Sequence, residues 1–169
     1  LRDRALIGVM LYTFSRVSAA VSMSVKDYHS VGRRSWIRLH EKGGKHHEVP
    51  AHHNAALFLD EYIAEAGLGK DPKGPLFRSL RGRSGKLSPI AMSRGDALRM
   101  IKRRAAANGL PVTICCHTFR GTGITAYLAN GGTIENAQAI AAHESPETTK
   151  IYDRTDDELT LDEIERIAI

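Results

Sequence analysis

The stretch HESPETTKIYDR, residues 143 to 154, carries a histidine and, nine positions later, a tyrosine. A tyrosine hydroxyl ionises near ~10, so Tyr152 can act as a nucleophile at neutral pH only with a base and positive charge beside it. Residues of both types occur elsewhere in the chain. In CHTFR, His117 and Arg120 stand three apart, on one side of a helix start, where an imidazole and a guanidinium can address the same anion. Arg16, in YTFSRVSAAV, sits at a break between two apolar segments, and Lys42 lies at the mouth of a Gly43-Gly44 turn with Lys45 just beyond it. Each has an ordinary structural reading when taken alone. HxxR is a weak motif, Arg16 can be a surface residue, Lys42 a plain hairpin lysine, and Tyr152 a ring packed at a helix end.

The elements that must position these groups are mostly helical. A first helix is expected from Arg2 to Phe14 with Leu6, Val9 and Met10 buried, and a short second one after Arg16. SWIRLHEKGGKHHEVP alternates, Ile37 and Leu39 against Trp36, Arg38 and His40, and its two glycines suit a tight hairpin turn. From Asn54 to Ala66 the apolar residues recur at helical spacing, and Gly67 stops the run. Ser93 with Asp96 reads as a capping box for a helix ending at Gly109, its Arg and Lys residues crowding one side. Helices follow at about Thr118–Asn130 and after Thr133 as cap. Ser145-Pro146-Glu147 starts another, with serine at the cap, proline at the first position and an acid at the positive end of the dipole. Tyr152 then falls near the end of a two-turn helix. Thr160 and Glu163 cap a last short helix with Leu161, Ile164 and Ile167 on its face. The fold class expected is mainly α with a small antiparallel β-sheet (α+β), as one domain over residues 1–169.

The charge is unevenly spread. Residues 153–169 hold seven acidic and two basic residues, leaving 22 basic against 12 acidic in the rest. Nine basic residues lie between Arg78 and Arg104 with Asp96 as the single acid, a footprint for a polyanion or, on the bland reading, a solvated helix face and loop. No apolar run approaches the ~20 residues that span a bilayer, and the first residues resemble no targeting signal, so a cytoplasmic protein is expected. The abrupt helical start at Leu1 reads as a fragment of a longer protein. Cys115 and Cys116 are adjacent, where a mutual disulfide is strained. The pairs His46-His47 and His52-His53 lack metal-ligand spacing and read as surface.

The joint order of the reactive residues is more telling than any one of them. TFSRVSAAV (Arg16), EKGGKHHEVP (Lys42), HTFRGTGITAYL (His117, Arg120) and AAHESPETTKIYDR (His143, Tyr152) follow one another across nearly the whole chain. In this the sequence resembles the catalytic domain of the tyrosine recombinases, or phage-type integrases. The last block, of the form HxSxxTTxxY, is the most specific.

The resemblance implies an enzyme of DNA integration and recombination, of the kind mobile genetic elements use. Its tyrosine attacks a DNA phosphodiester to give a 3′-phosphotyrosyl link and a free 5′-hydroxyl. Bond energy is stored in that link, so no nucleotide, metal or other cofactor is implied. Carried over residue by residue, Arg16 and Arg120 grip the non-bridging oxygens. Lys42 protonates the leaving 5′ oxygen, with Lys45 a competitor for that role; His117 exchanges a proton with Tyr152, and His143 donates a hydrogen bond to the phosphate. Lys45, Arg78, Arg81, Arg83, Lys86, Arg99, Lys102 and Arg103 are the expected DNA-backbone contacts. The implied partners are double-stranded DNA and further copies of the chain, as a tetrameric synapse at the nucleoid. An amino-terminal DNA-clamping domain is expected ahead of Leu1. The acidic tail helix docks on a neighbouring protomer or on its own domain, both readings standing open. Three positions depart from the family pattern: Ala19 where an acid often follows the first arginine, Ala141-Ala142 where Leu-Gly is common, and Gly121 where a bulkier residue is frequent. Two alternatives stand beside recombination: relaxation of DNA in the manner of a type IB topoisomerase, and a DNA-binding module that has kept the fold without cleavage.

Overall fold

The computed structural model describes residues 1–41, 46–82 and 84–153. Lys42, Lys45, Arg83, the turn expected at Gly43-Gly44 and the helix expected beyond Asp153 lie outside the described residues.

Helix α1 (Arg2–Tyr12) is the central strut, with Ala5, Leu6, Gly8, Val9 and Met10 buried. It packs on α3 (His53–Glu65) and on α5 (Cys116–Ala129). Small residues permit both contacts. A side chain at Gly8 would meet the Phe58 ring, and one at Gly123 would overlap the Leu11 carbonyl oxygen and the Phe14 ring. Helix α1 ends two residues earlier than its apolar pattern predicts. The Thr13 hydroxyl turns back to the Val9 carbonyl at 2.7 Å, and Phe14 adopts a left-handed backbone (φ 52°). That conformation is costly for a residue with a side chain. It swings the chain so that Arg16 becomes the N-cap of α2 (Val17–Val21).

Strands β1 (Tyr28–Val31), β2 (Arg34–His40) and β3 (His46–Pro50) form an antiparallel sheet in that order. The hairpin alternation holds: Ile37 opposite Val49 and Leu39 opposite His47, with Ile37 and Leu39 fully buried. β1 was not expected; it is four residues long and joined to β2 by a two-residue turn at Gly32 (φ 61°). A second, two-stranded sheet pairs β4 (Arg78–Leu80) with β5 (Leu87–Ala91), where the sequence reads as a basic loop. Pro89 within β5 hides it, since proline usually marks a strand edge or no strand at all.

The caps lie where the serines and threonines place them. Ser93 accepts from the Asp96 amide at the start of α4 (Arg94–Ala107), Thr133 from Asn136 at α6 (Ile134–Ala141), and Ser145 from Glu147 at α7 (Pro146–Lys150). α5 begins two residues earlier than expected, capped by Cys115 and Thr118. The main core runs from α1 through α4 and the larger sheet. A smaller cluster of Phe14, Ile124, Leu128, Ala137 and Ala141 joins α5 to α6, with Tyr152 packed at its edge.

Replacing Gly123 by alanine should therefore lower stability by about 1–3 kcal/mol, the usual cost of overpacking. Urea unfolding checks this, and an unchanged midpoint would show that α1 and α5 are not held at this distance.

Candidate active site

Five of the six reactive residues that the sequence singles out fall in described segments, and the fold brings all five together. Arg16 stands at the N-cap of α2, His117 and Arg120 on the first turns of α5, His143 just after α6, and Tyr152 just after α7.

Arg120 is the most enclosed of them, at 1% exposure. Its Nη1 donates to the Phe14 carbonyl and its Nη2 to the Ala141 carbonyl at 3.0 Å. A guanidinium has five N–H donors, so these two bonds leave others for an anion. Burial and the charge of Arg16 lower the Arg120 pKa, while Glu41 and Tyr152 act in the opposite sense. Arg16 is more open, its side chain 45% exposed, and its Nη1 lies 2.9 Å from Glu41 Oε2, a carboxylate only 6% exposed.

Glu41 answers the question raised by Ala19, which is itself buried and apolar. The acid that orients Arg16 comes from the end of β2 instead of from α2. It was legible in principle: Ile37, Leu39 and Glu41 share one face of an alternating strand, and an acid on an inward face needs a cation.

Tyr152 lies against α5. Its hydroxyl is 2.8 Å from His117 Nε2, its carbonyl accepts from Thr125 at 3.3 Å, and its ring is parallel to that of His143 at 6.3 Å. Gly121 makes the approach possible, since a Cβ there would stand 3.3 Å from Tyr152 Cε1. The small residue after Arg120 thus has a geometric reason. Burial, then the charges of Arg120 and Arg16, lower the pKa of His117 and so favour its neutral form.

His143 is buried, and its Nδ1 lies 2.8 Å from the hydroxyl of Thr149, a fully buried residue that sequence reasoning did not single out. Thr149 lies on α7 three residues before Tyr152, so the tyrosine and the partner of the histidine come from one short stretch of chain. Burial first, then the charges of Arg120, Arg16 and His117, push His143 down to about 4. The preceding Ala142 takes the left-handed conformation (φ 50°) where glycine would be unstrained. His47 Nε2 contacts the Ile140 carbonyl at 2.8 Å and ties β3 to the end of α6.

The basic stretch is partly spent on the fold. Arg78 bonds Asp71 and the Pro75 carbonyl, Arg99 pairs with Asp96, Lys102 donates to the Val112 carbonyl, and Arg104 pairs with Asp3. Arg81, Lys86 and Arg103 have exposed side chains. No helix among the described residues is long and apolar enough to cross a membrane.

With this geometry established, comparison with known proteins is specific. The model of the phage integrase family matches residues 1–158. The chain belongs to the phage integrase family. Tyrosine recombinase XerC of Nitrobacter winogradskyi is 30% identical over 161 residues, covering 95% of this chain and 48% of the relative. The chain thus spans about half the length of the curated relatives it matches. Among solved structures, XerA recombinase superposes with a TM-score of 0.74 at 25% identity, over 98% of this chain and 56% of that one. XerH site-specific recombinase bound to difH substrate, a pre-cleavage complex, gives 0.69 at 19% identity over 98% and 45%. The fold is that of the tyrosine recombinase catalytic domain.

The burial of His143 has a measurable consequence for this phage integrase family member. An unfolded histidine titrates near ~6.5 and the folded one near about 4, so the unfolded chain holds more protons throughout the interval between. Stability should be full above pH 6.5, fall as the pH drops towards 4, and level off with respect to this group below that. His143 contributes a slope of up to about 1.4 kcal/mol per pH unit. His117 and His52, also lowered by burial, act in the same direction. Urea unfolding from pH 7 to 4 should show a shallower slope in His143→Gln than in the wild type. Equal slopes would contradict the buried neutral imidazole.

Proposed function

We propose that this chain is the strand-cleaving part of a site-specific DNA recombinase that acts through Tyr152. The observation that carries the reading is the 2.8 Å contact between the Tyr152 hydroxyl and His117 Nε2, in a site where burial and two arginines keep that imidazole unprotonated.

The phenol oxygen attacks the phosphorus of a DNA phosphodiester, and its proton passes to His117. An O–P bond to Tyr152 forms as the bond to the 5′ oxygen breaks, leaving a 3′-phosphotyrosyl link. Lys42, outside the described residues, supplies the proton to the departing 5′ oxygen. Charge gathers on the non-bridging oxygens, where Arg16 and Arg120 donate hydrogen bonds; such charge-assisted donors are the strong ones. Glu41 holds Arg16 from behind, and the Phe14 and Ala141 carbonyls hold Arg120. If the Thr149 hydroxyl donates to Nδ1 of His143, the proton of the neutral ring sits on Nε2, where it can reach the phosphate. The reverse attack by a 5′-hydroxyl on the phosphotyrosine uses the same groups backwards, and a second duplex supplying that hydroxyl makes the exchange a recombination.

Double-stranded DNA is the substrate in this reading, and XerH in complex with difH substrate supports it. Arg81 and Lys86, exposed between β4 and β5, and Arg103, exposed on α4, are proposed to contact the DNA backbone together with Lys45 and Arg83. Arg78, Arg99 and Lys102 join them less freely because each already has a partner. Strand exchange between two duplexes implies a homo-oligomer on DNA, proposed as a tetramer, in the cytoplasm at the nucleoid.

A pool of nicked duplexes of random sequence tests the reading, because cleavage near a nick releases the 5′-hydroxyl fragment and traps the covalent complex. Wild-type protein should yield a trapped complex that maps to Tyr152 and Tyr152→Phe none, and sequencing the trapped DNA identifies the target. A complex persisting in Tyr152→Phe would refute the assignment. Relaxation of supercoiled plasmid without recombinant products would place the chain with the type IB topoisomerases, and salt-sensitive binding without nicking would leave a DNA-binding module.

A further inference from the structure

A cavity of about 630 Å³ opens beside the site, its lining including Ser15, Arg16, Arg94, Gly95, Cys115 and His117. Two 14-residue helices begin on it: Gly95 lies in the first turn of α4, and Cys115 is the N-cap of α5. Helix starts present free N–H groups and partial positive charge. Arg94 is exposed and has no ion pair or hydrogen bond among the described residues. Ser15, 2% exposed, carries a buried hydroxyl with no partner among the described residues. An unsatisfied buried hydroxyl is unusual in a folded protein. The cavity is thus cationic and of a size that suits a small ligand.

We infer that Cys115 is a modification site that takes a small anionic disulfide, and that the resulting mixed disulfide occupies the cavity shared with Arg16 and His117. Neither cysteine has a role in the chemistry proposed above, and their surroundings act on the two thiols in opposite directions. The Thr118 hydroxyl, 3.7 Å from Cys115 Sγ, and then the N–H groups at the start of α5 hold the Cys115 thiol below its ordinary pKa. Burial and the neighbouring Cys115 push Cys116 up. Thiolate character decides which thiol reacts, so Cys115 is the nucleophile of the pair.

The Cys115 thiolate attacks one sulfur of the disulfide. A new S–S bond forms, the old one breaks, and the other half leaves as a thiolate that takes a proton from water; Cys115 is oxidised and the leaving half reduced. Cys116 does not readily release the adduct, because a disulfide between adjacent residues is strained. The carboxylates of an anionic adduct find Arg94, Arg16 and the two helix starts. Resting on the recombinase reading, the adduct also bars a DNA phosphate from Arg16 and His117, and bound DNA protects the thiol.

Oxidised glutathione as the anionic probe and 2-hydroxyethyl disulfide as the neutral one test this on the chain, read by intact mass and peptide mapping. One adduct on Cys115 is expected, forming on the order of tenfold faster with the anionic probe at low salt, a preference that shrinks with added salt and in Arg94→Ala. Cys116→Ser should label like the wild type. Cys115→Ser, in which serine remains a good N-cap, should not label and should keep its DNA cleavage in the presence of disulfide. Labelling of Cys116 first, equal rates with both probes, or full cleavage by labelled protein would overturn the inference. If unmodified protein forms no covalent DNA complex, the recombinase reading fails, and the mass and rate data still decide the modification site.

Discussion

The guanidinium of Arg120 is the point on which the site depends. It sits on α5 and reaches two carbonyls far away in sequence, Phe14 at the end of α1 and Ala141 at the end of α6. Each carbonyl lies two residues before a reactive group, Arg16 in the first case and His143 in the second. One buried cation therefore fixes the positions of two other groups of the site. Hydrogen bonds from a charged donor contribute about 1.5–3 kcal/mol each, and a charge enclosed to this extent needs them. The chain adopts left-handed backbone at both places, Phe14 and Ala142, beside the residues that Arg120 holds. Strain of this kind persists where surrounding contacts over-determine it.

The electrostatics follow from that arrangement. Arg16 acts on Arg120, both arginines act on the two nearby imidazoles, and the enclosed carboxylate of Glu41 offsets part of their charge. Both histidines answer by staying neutral. The site therefore has a fixed positive character at neutral pH with a proton acceptor beside the tyrosine, which is the combination that a phenol nucleophile and an anionic electrophile require.

Much of this was legible in the sequence because local chemistry and global fold agree. Ser93, Thr133 and Ser145 announce their helices through side-chain caps, and the structure uses all three. The order Arg16, His117, Arg120, His143 and Tyr152 marked residues that the fold then gathers. What escaped depended on tertiary contacts. Glu41 is an ordinary acid until the strand register turns it inward, and Thr149 an ordinary helix residue until His143 meets it. β4 and β5 are too short to show a period, and Pro89 argues against one of them. The start of α5 was misplaced because cysteine is not a customary cap, yet Cys115 and Thr118 make a reciprocal one. Gly121 looked like a mere departure until the ring of Tyr152 was seen against it.

The most direct test of the central claim is the unfolding free energy of Arg120→Met set beside that of Arg103→Met, an exposed arginine on α4. Methionine keeps much of the volume and removes the donors, so the Phe14 and Ala141 carbonyls lose their partner at a cost of about 1–3 kcal/mol each, while the open Arg103 leaves a smaller mark. The account predicts a loss of several kcal/mol in Arg120→Met and well under half of that in Arg103→Met. Equal losses, or an Arg120→Met protein as stable as the wild type, would show that Arg120 does not hold the site together.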